Sequence, residues 1–175
     1  QTENMHKYVD HYLKRARVSA NIKTISSHSP IMPSLHNITR ALNKIYEGKV
    51  ITVNAQTTEE KLIFKGEVND FEEMAGNLME NAAKWANAKV SIDCKRDGNL
   101  LLIEISDDGP GIDKKAREAV FARGQRLDEK TPGSGLGLSI VKDLSDLYGG
   151  KIKLEDNEKC QKNPGLTATL VLPAV

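Results

Sequence analysis

Three groups of residues in this sequence have the types and spacing to handle a flat, charged ligand. The first is Asp107-Asp108-Gly109-Pro110-Gly111-Ile112, where the apolar run Leu100 to Ile105 stops at paired acids and breaks into a turn. Two glycines flanking a proline let the backbone turn sharply and let a planar group lie against it with no side chain in the way. A carboxylate at the mouth of a strand can accept hydrogen bonds from an exocyclic amine. The second group is Gly133-Ser134-Gly135-Leu136-Gly137-Leu138, which runs straight into an apolar-periodic helix. Backbone N–H groups left unpaired at a helix start sit at the positive end of its dipole and cradle phosphate. The third is Asn77, Asn81 and Lys84, at steps of four and three, stacked along one side of a helix. Asparagines are poor helix formers, so two of them one turn apart need a reason. Hard cations take amide oxygens, and a lysine adds a point charge for phosphate. Each group alone has a plainer reading: a surface turn, a weak glycine cluster, a solvated helix face. In series they offer an amine acceptor, a phosphate cradle and a cation site. The second cluster lacks the lysine of a P-loop and follows a charged loop instead of a strand, so the Walker and dinucleotide readings fail.

Composition narrows the setting. The chain has 175 residues, 39% of them hydrophobic, enough for one substantial core with an appendage. Its 25 basic and 24 acidic side chains leave a formal charge of +1, so no global field draws in nucleic acid or an anionic membrane surface. Any anion must be held locally. Cys94 and Cys160 belong to no Cys-x-x-Cys pattern, which fits a reducing compartment, the cytoplasm, and argues against a disulfide scaffold or structural zinc. No run reaches the length of a membrane span and no charged-then-apolar leader opens the chain, so a soluble piece is expected. Asn37-Ile38-Thr39 matches a glycosylation sequon by chance, inside what reads as a helix.

Apolar periodicity supplies the elements that hold the three groups. Met5, Val9, Tyr12, Leu13 and Ala16 predict an amphipathic helix over 3–20, and the polar run Ser26 to Pro30 a linker. Pro33 fits the first turn of a helix with Leu35, Ile38, Leu42, Ile45 and Tyr46 on one face and Gly48 as its stop. Val50 to Val53 and Leu62 to Phe64 read as two short strands joined as a hairpin. Asn69 and Glu72 form a capping pair for the next helix, whose core stripe is Phe71, Met74, Ala75, Leu78, Ala82 and Trp85. Val90, Ile92 and Cys94 alternate, Asp97-Gly98 signals a turn, and Leu101, Ile103 and Ile105 return to Asp107. The charged stretch 113–131, with only Ala119, Val120 and Phe121 as an apolar anchor, reads as a mobile lid, with a solvated loop as the plain alternative for Arg123 and Lys130. The second glycine cluster opens a helix carrying Leu136, Ile140, Val141, Leu144 and Leu147, closed by Gly149-Gly150. Ile152 with Leu154, then Ala168, Leu170 and Leu172, finish as two strands.

Asn77 to Trp85, Asp107 to Gly111, Phe121 and Gly133 to Gly137 resemble the N box, first glycine box, F box and second glycine box of the ATP-binding domain of sensor histidine kinases. That fold is shared with DNA gyrase, the Hsp90 chaperones and MutL. The likeness runs from about Val50 to the end, and Arg123-Gly124-Gln125-Arg126 is most similar to the PhoQ type. The resemblance implies an α+β, Bergerat ATP-binding fold: a two-layer α/β sandwich whose mixed, mostly antiparallel sheet is covered on one face by helices, plus an N-terminal helix. It divides the chain into 1–25, a stub of the second helix of a dimerisation and phosphoacceptor hairpin; 26–32, a linker; and 33–175, the catalytic domain with a lid at about 112–134. ATP and Mg2+ are the implied cofactors. Asp107 would accept from the adenine amino group, Asn81 with Asn77 near it would hold the metal, and Lys84 and Arg126 would neutralise phosphate charge. The other implied nucleotide contacts are Trp85, Gly109, Gly111, Ile112, Arg123, Gln125, Gly133, Ser134, Gly135, Leu136, Gly137 and Leu138.

Two positions depart from the family pattern. Trp85 stands where a tyrosine or smaller aromatic is usual, so stacking survives in a tighter pocket. Thr131 precedes Pro132-Gly133 where the PhoQ type can carry an arginine, which shifts the lid's phosphate grip onto Arg126. The ATP-hydrolysing relatives place a glutamate four residues before the metal-binding asparagine as general base. Here that residue is Asn77, which cannot take a proton, so phosphoryl transfer to a protein acceptor is expected over hydrolysis. None of His6, His11, His28 and His36 has the Glu-x-x-x-Pro context of the phosphorylated histidine, and His11 reads as a surface residue past that position. The expectation is therefore the catalytic part of a two-component sensor histidine kinase, donating the γ-phosphoryl group to a histidine absent from this chain. Its implied partners are the phosphoacceptor hairpin and a response regulator receiver domain, within a homodimer anchored in the inner membrane. A serine kinase of the anti-sigma type is the alternative enzyme, which Arg15-Ala16-Arg17 in the stub disfavours; a nucleotide-binding switch without transfer is the alternative binding module.

Overall fold

The computed structural model describes residues 27–122, 135–160 and 163–175. The expected helix at 3–20, the stub at 1–25 and the lid positions Arg123, Gln125, Arg126, Gly133 and Ser134 lie outside them. Five strands form one mixed sheet: β2 (Val50–Ala55), β4 (Lys89–Asp97), β5 (Leu100–Asp107), β6 (Lys151–Glu155) and β7 (Leu166–Pro173), in the spatial order β2-β4-β5-β7-β6. The β2–β4 pair is parallel and every other neighbour pair in this sheet is antiparallel. Period-two alternation decides the layers. Val90, Ile92 and Cys94, then Leu101, Ile103 and Ile105, then Ala168, Leu170 and Leu172 are buried with the helices, while Lys95 and Glu104 pair at 3.9 Å on the opposite face. Burying each large aliphatic is worth about 1.5–3 kcal/mol, and a one-residue slip would turn the whole set to solvent, so the register is strongly held. Gly98 and Asn99 make the β4–β5 turn, with Gly98 at φ +57 as such a two-residue loop requires.

Among the described residues three helices cover the sheet: α1 (Ile31–Ile45), α2 (Val68–Trp85) and α3 (Gly137–Leu147). The expected α+β sandwich is present, as are Pro33 in the first turn of α1 and the apolar stripe of α2 from Phe71 to Ala82; Trp85, expected in that stripe, is exposed in the last residue of the helix. Four other local expectations are corrected. The segments near Val50 and Leu62 do not pair as a hairpin: β2 runs parallel to β4, and β3 (Ile63–Phe64) pairs with β1 (Ser29–Pro30). The reason is non-local, because α2 intervenes between β2 and β4 as the crossover a parallel pair needs. The expected linker at 26–32 already belongs to the fold from Ser29 onward: Ser29 Oγ donates to the Gly66 carbonyl at 2.7 Å, and Ile31 and Met32 are buried. Asn69 and Glu72 do not cap α2, which starts at Val68 with Glu67 at its N-cap; Glu72 instead accepts from Ser34 Oγ at 2.8 Å, tying α1 to α2. Ile45, expected on the core face, is 70% exposed in the last residue of α1, and Tyr46 packs against the core in its place.

Both α2 and α3 are locked at the end remote from the glycine cluster. Tyr148, just past α3, donates its hydroxyl to buried Asp70 in the first turn of α2 at 2.6 Å and sets its ring edge-on to Phe64 at 4.9 Å. Burial and the Asp70 carboxylate raise the phenol's pKa well above its usual value, so the proton stays on Tyr148. Tyr148→Phe keeps the ring and strips a buried carboxylate of its donor. It is expected to cost about 1–3 kcal/mol, read as a lower urea midpoint with unchanged m-value; an unchanged midpoint would show that solvent replaces the bond.

Candidate functional site

The three groups singled out above meet at one cavity of about 270 Å³. Asn81, Lys84 and Trp85 from α2 form one wall; Asp107, Gly111 and Ile112 form the next; Gly135, Gly137 and Leu138 close the third. Leu78, Ile105, Val120, Leu154, Leu166 and Ala168 add apolar surface to the lining. A largely apolar slot with a few convergent polar groups is the ordinary form of a small-molecule site.

Asp107 ends β5 at 4% exposure, and its Oδ1 accepts the Gly109 N–H at 2.8 Å. Burial pushes its carboxyl up to about 6, even though the Gly109 and Leu166 N–H groups pull it down; Asp108 adds a small upward push and Lys49 a small downward one. A carboxylate has roughly four lone-pair positions, so this hold leaves acceptor capacity facing the cavity. Its neighbour in sequence has a different task. Asp108 accepts the backbone N–H groups of Asn87 at 2.8 Å, Ala88 at 3.0 Å and Lys89 at 3.1 Å, locking the end of α2 and the start of β4 to the turn. Desolvation opposes its charged form, but the Ala88, Lys89 and Asn87 N–H groups hold its carboxyl below the usual range.

Gly109 lies against the last residue of α2: a Cβ there would collide with the Trp85 carbonyl oxygen and stand 2.9 Å from Asp107 Oδ1. At the other wall, α3 starts on Gly137 with no side-chain cap among the described residues, and the N–H groups of a helix's first turn, at the positive end of its dipole, suit an anionic acceptor. A Cβ on Gly137 would lie 2.8 Å from Asn77 Oδ1, and Asn77 Nδ2 donates to the Glu73 carbonyl at 2.7 Å. Asn77 therefore sits on the seam between α2 and α3. Asn77, Gly109 and buried Leu136 stand behind the cavity wall, whereas Asn81, Lys84, Trp85, Asp107, Gly111, Ile112, Gly135, Gly137 and Leu138 line it. Trp85 is 37% exposed, and Lys84 Nζ rests 5.4 Å from the centre of its ring. Phe121 packs against the core while Val120 beside it reaches the wall.

Sequence reasoning missed Lys49 and the β6–β7 loop. Lys49 Nζ donates to the carbonyls of Ala83 at 2.7 Å and Lys84 at 3.3 Å, covering the negative end of α2 directly behind the Lys84–Trp85 wall. Nothing in its local pattern distinguishes it from a solvated lysine.

A parallel-plus-antiparallel sheet under helices, with an acid, a helix start and one amide side chain around a single slot, defines an α+β domain built to hold a small polar molecule. The chain belongs to the histidine kinase-, DNA gyrase B- and HSP90-like ATPase family, which matches residues 66–175. Within that family it is similar to sensor histidine kinases. It is 37% identical over 152 residues to the sensor protein PhoQ of Escherichia coli K12, covering 87% of this chain and 31% of that one. To the virulence sensor histidine kinase PhoQ of Salmonella typhimurium strain 14028s it is 35% identical over 158 residues, covering 90% and 32%. Its fold superposes on the mycobacterial sensor histidine kinase MprB with a TM-score of 0.75 at 25% identity, over 85% of this chain and 97% of that one. The chain thus spans about a third of the length of its curated relatives. Among the described residues no helix is long and apolar enough to cross a membrane.

Proposed function

We propose that this chain is the catalytic, ATP-binding part of a two-component sensor histidine kinase that transfers the γ-phosphoryl group of ATP to a histidine on a separate hairpin. The observation that carries the reading is the convergence of the Asp107 turn, the start of α3 and the Asn81–Trp85 wall on one cavity. Asp107 accepts from the adenine amino group, Trp85 offers a stacking face, and the first-turn N–H groups of α3 with Lys84 take the phosphates. Arg123, Gln125, Arg126, Gly133 and Ser134 complete the phosphate grip in this reading.

The residues present fit a magnesium ion. Among the described residues no three His, Cys, Asp or Glu side chains cluster as a metal cage, and Asn81 offers a hard amide oxygen on the cavity wall. Such a ligand, with Asn77 close behind it, suits an ion that shares its coordination with phosphate oxygens, where Mg2+ would neutralise charge. Asp107 is the only carboxylate that lines the cavity among the described residues, and it sits on the adenine side of this reading. Among the described residues no general base then stands beside the phosphates, and Asn77, four residues before Asn81, cannot take a proton from water, which favours transfer over hydrolysis. The acceptor histidine nitrogen forms the new bond to phosphorus as the bridging oxygen leaves with ADP, while the domain orients ATP and spreads its charge.

Residues 1–25 are then the end of a dimerisation hairpin, joined to the fold at Ser29 by a short connection. The phosphoryl group passes on to a response regulator receiver domain, and the whole protein is a homodimer held at the inner membrane with this part in the cytoplasm. No partner of nucleic acid is needed. The similarity to sensor kinases leaves the anti-sigma serine kinase without support.

Incubation with labelled Mg–ATP and a histidine-bearing hairpin fragment should label the hairpin; tight ATP binding with no transfer would favour a nucleotide switch. Asn81→Ala is expected to abolish the magnesium dependence of ATP-analogue affinity measured by calorimetry. An undiminished magnesium effect would remove Asn81 from the metal site.

A further inference from the structure

The loop between β6 and β7 reaches back beneath the Asp107–Ile112 turn. Asn157 Nδ2 donates to the Asp107 carbonyl at 2.8 Å, and the Gly165 N–H donates to the Gly109 carbonyl at 3.0 Å. The Asn157 amide has no freedom to flip, because its Oδ1 accepts the Lys159 N–H at 3.1 Å, so its donors must face the turn. The loop closes on the same residue: the Asn157 N–H donates to the Pro164 carbonyl at 2.9 Å, and its carbonyl accepts from Cys160 at 3.0 Å. Gly165 is at φ +55, and a Cβ there would collide with the Asp107 carbonyl oxygen and stand 2.9 Å from Asn157 Cβ. The adjacent loop residue holds the other end of the turn. Asp156 pairs with Arg117, whose Nε donates to the Ile112 carbonyl at 3.0 Å. Asn157, Asp156 and Arg117 do not line the cavity.

We infer that Asn157 is a positioning residue, fixing the peptide from which the Asp107 carboxylate projects and thereby setting affinity and selectivity for the adenine base. This rests on the reading of Asp107 as the adenine acceptor. A hydrogen bond weakens steeply with misalignment, and an acceptor that must meet one amino group is useful only if its backbone is held. Asn157 acts on the base through Asp107 and touches no part of the nucleotide.

The test compares Asn157→Ala and Asn157→Asp in the 175-residue chain, with ATP and GTP affinities measured by calorimetry well below each variant's unfolding midpoint. Asn157→Asp retains an acceptor for the Lys159 N–H, and so the loop closure, but replaces the donor to Asp107 with a charged oxygen that repels the Asp107 carbonyl. Both variants are expected to lose about three- to tenfold in ATP affinity and the same factor in ATP-over-GTP preference, with GTP nearly unchanged. General loosening of the fold would weaken both nucleotides alike. A preference within about twofold of the unsubstituted chain in both variants would overturn the inference. Failure of the unsubstituted chain to prefer ATP would instead overturn the role of Asp107.

Discussion

Asp107→Asn is expected to weaken ATP binding by about ten- to a hundredfold while making the nucleotide-free domain harder to unfold at neutral pH. The two effects have one source. The carboxyl is buried and its pKa is raised to about 6 from 3.8, so between those values the folded chain binds more protons than the unfolded one. Stability contributed by this group is therefore present at low pH and lost as pH rises from about 4 to 6, leaving a cost on the order of 3 kcal/mol at pH 7. An asparagine can still accept the Gly109 N–H, carries no charge to desolvate, and abolishes that cost. What it loses is the anionic acceptor for the adenine amino group, and its own NH2 can present a donor to a donor. GTP, with a carbonyl where adenine has the amine, should lose less. In the unsubstituted chain ATP affinity should fall as pH drops through about 6, and that step should vanish in the variant. Calorimetry against pH and thermal melts at pH 7 check both halves; a variant that melts lower, or loses ATP and GTP equally, contradicts the role assigned to Asp107.

Gly109→Ala is expected to unfold the site instead of tuning it. The new Cβ would collide with the Trp85 carbonyl oxygen, stand 3.0 Å from the Trp85 carbonyl carbon and crowd Asp107 Oδ1 at 2.9 Å. Neither side can yield cheaply, because the Asp108 carboxylate pins Asn87, Ala88 and Lys89 to the same turn. Overpacking between two held backbones costs about 3 kcal/mol, and relief requires the end of α2 to move away from β5, which carries Trp85 and Lys84 off the cavity wall. ATP affinity should fall below detection in calorimetry while the urea midpoint drops. Gly98→Ala is the control: that residue is also special, at φ +57, but has nothing within 4 Å of its missing Cβ. It should cost about 1 kcal/mol with ATP affinity unchanged. Equal behaviour of the two variants would refute the contact at Gly109.

Much of this architecture could be read from local pattern. Alternation in Val90-Ile92-Cys94 and Leu101-Ile103-Ile105 marks strands buried on one face because a pleated backbone sends successive side chains to opposite sides. The stripe through Phe71, Met74, Leu78 and Ala82 marks α2 for the corresponding helical reason. Periodicity, however, does not reveal which side of a helix meets which neighbour. Asn77 and Asn81 look alike one turn apart, yet Asn81 reaches the cavity and Asn77 is spent on the α2–α3 seam. Asp107 and Asp108 are adjacent and chemically identical, yet one is buried in the site and the other holds three backbone N–H groups.

Residue types and short-range spacing thus specify the strands, the helices and the three chemical groups, since each depends on interactions within a few positions along the chain. The parallel placement of β2 on β4, the three backbone N–H groups held by Asp108, and the support from Lys49 and Asn157 depend on partners 19 to 50 residues away. Such partners are chosen by how buried surfaces fit and which backbone groups remain to be hydrogen-bonded, and those conditions exist only once the layers have packed.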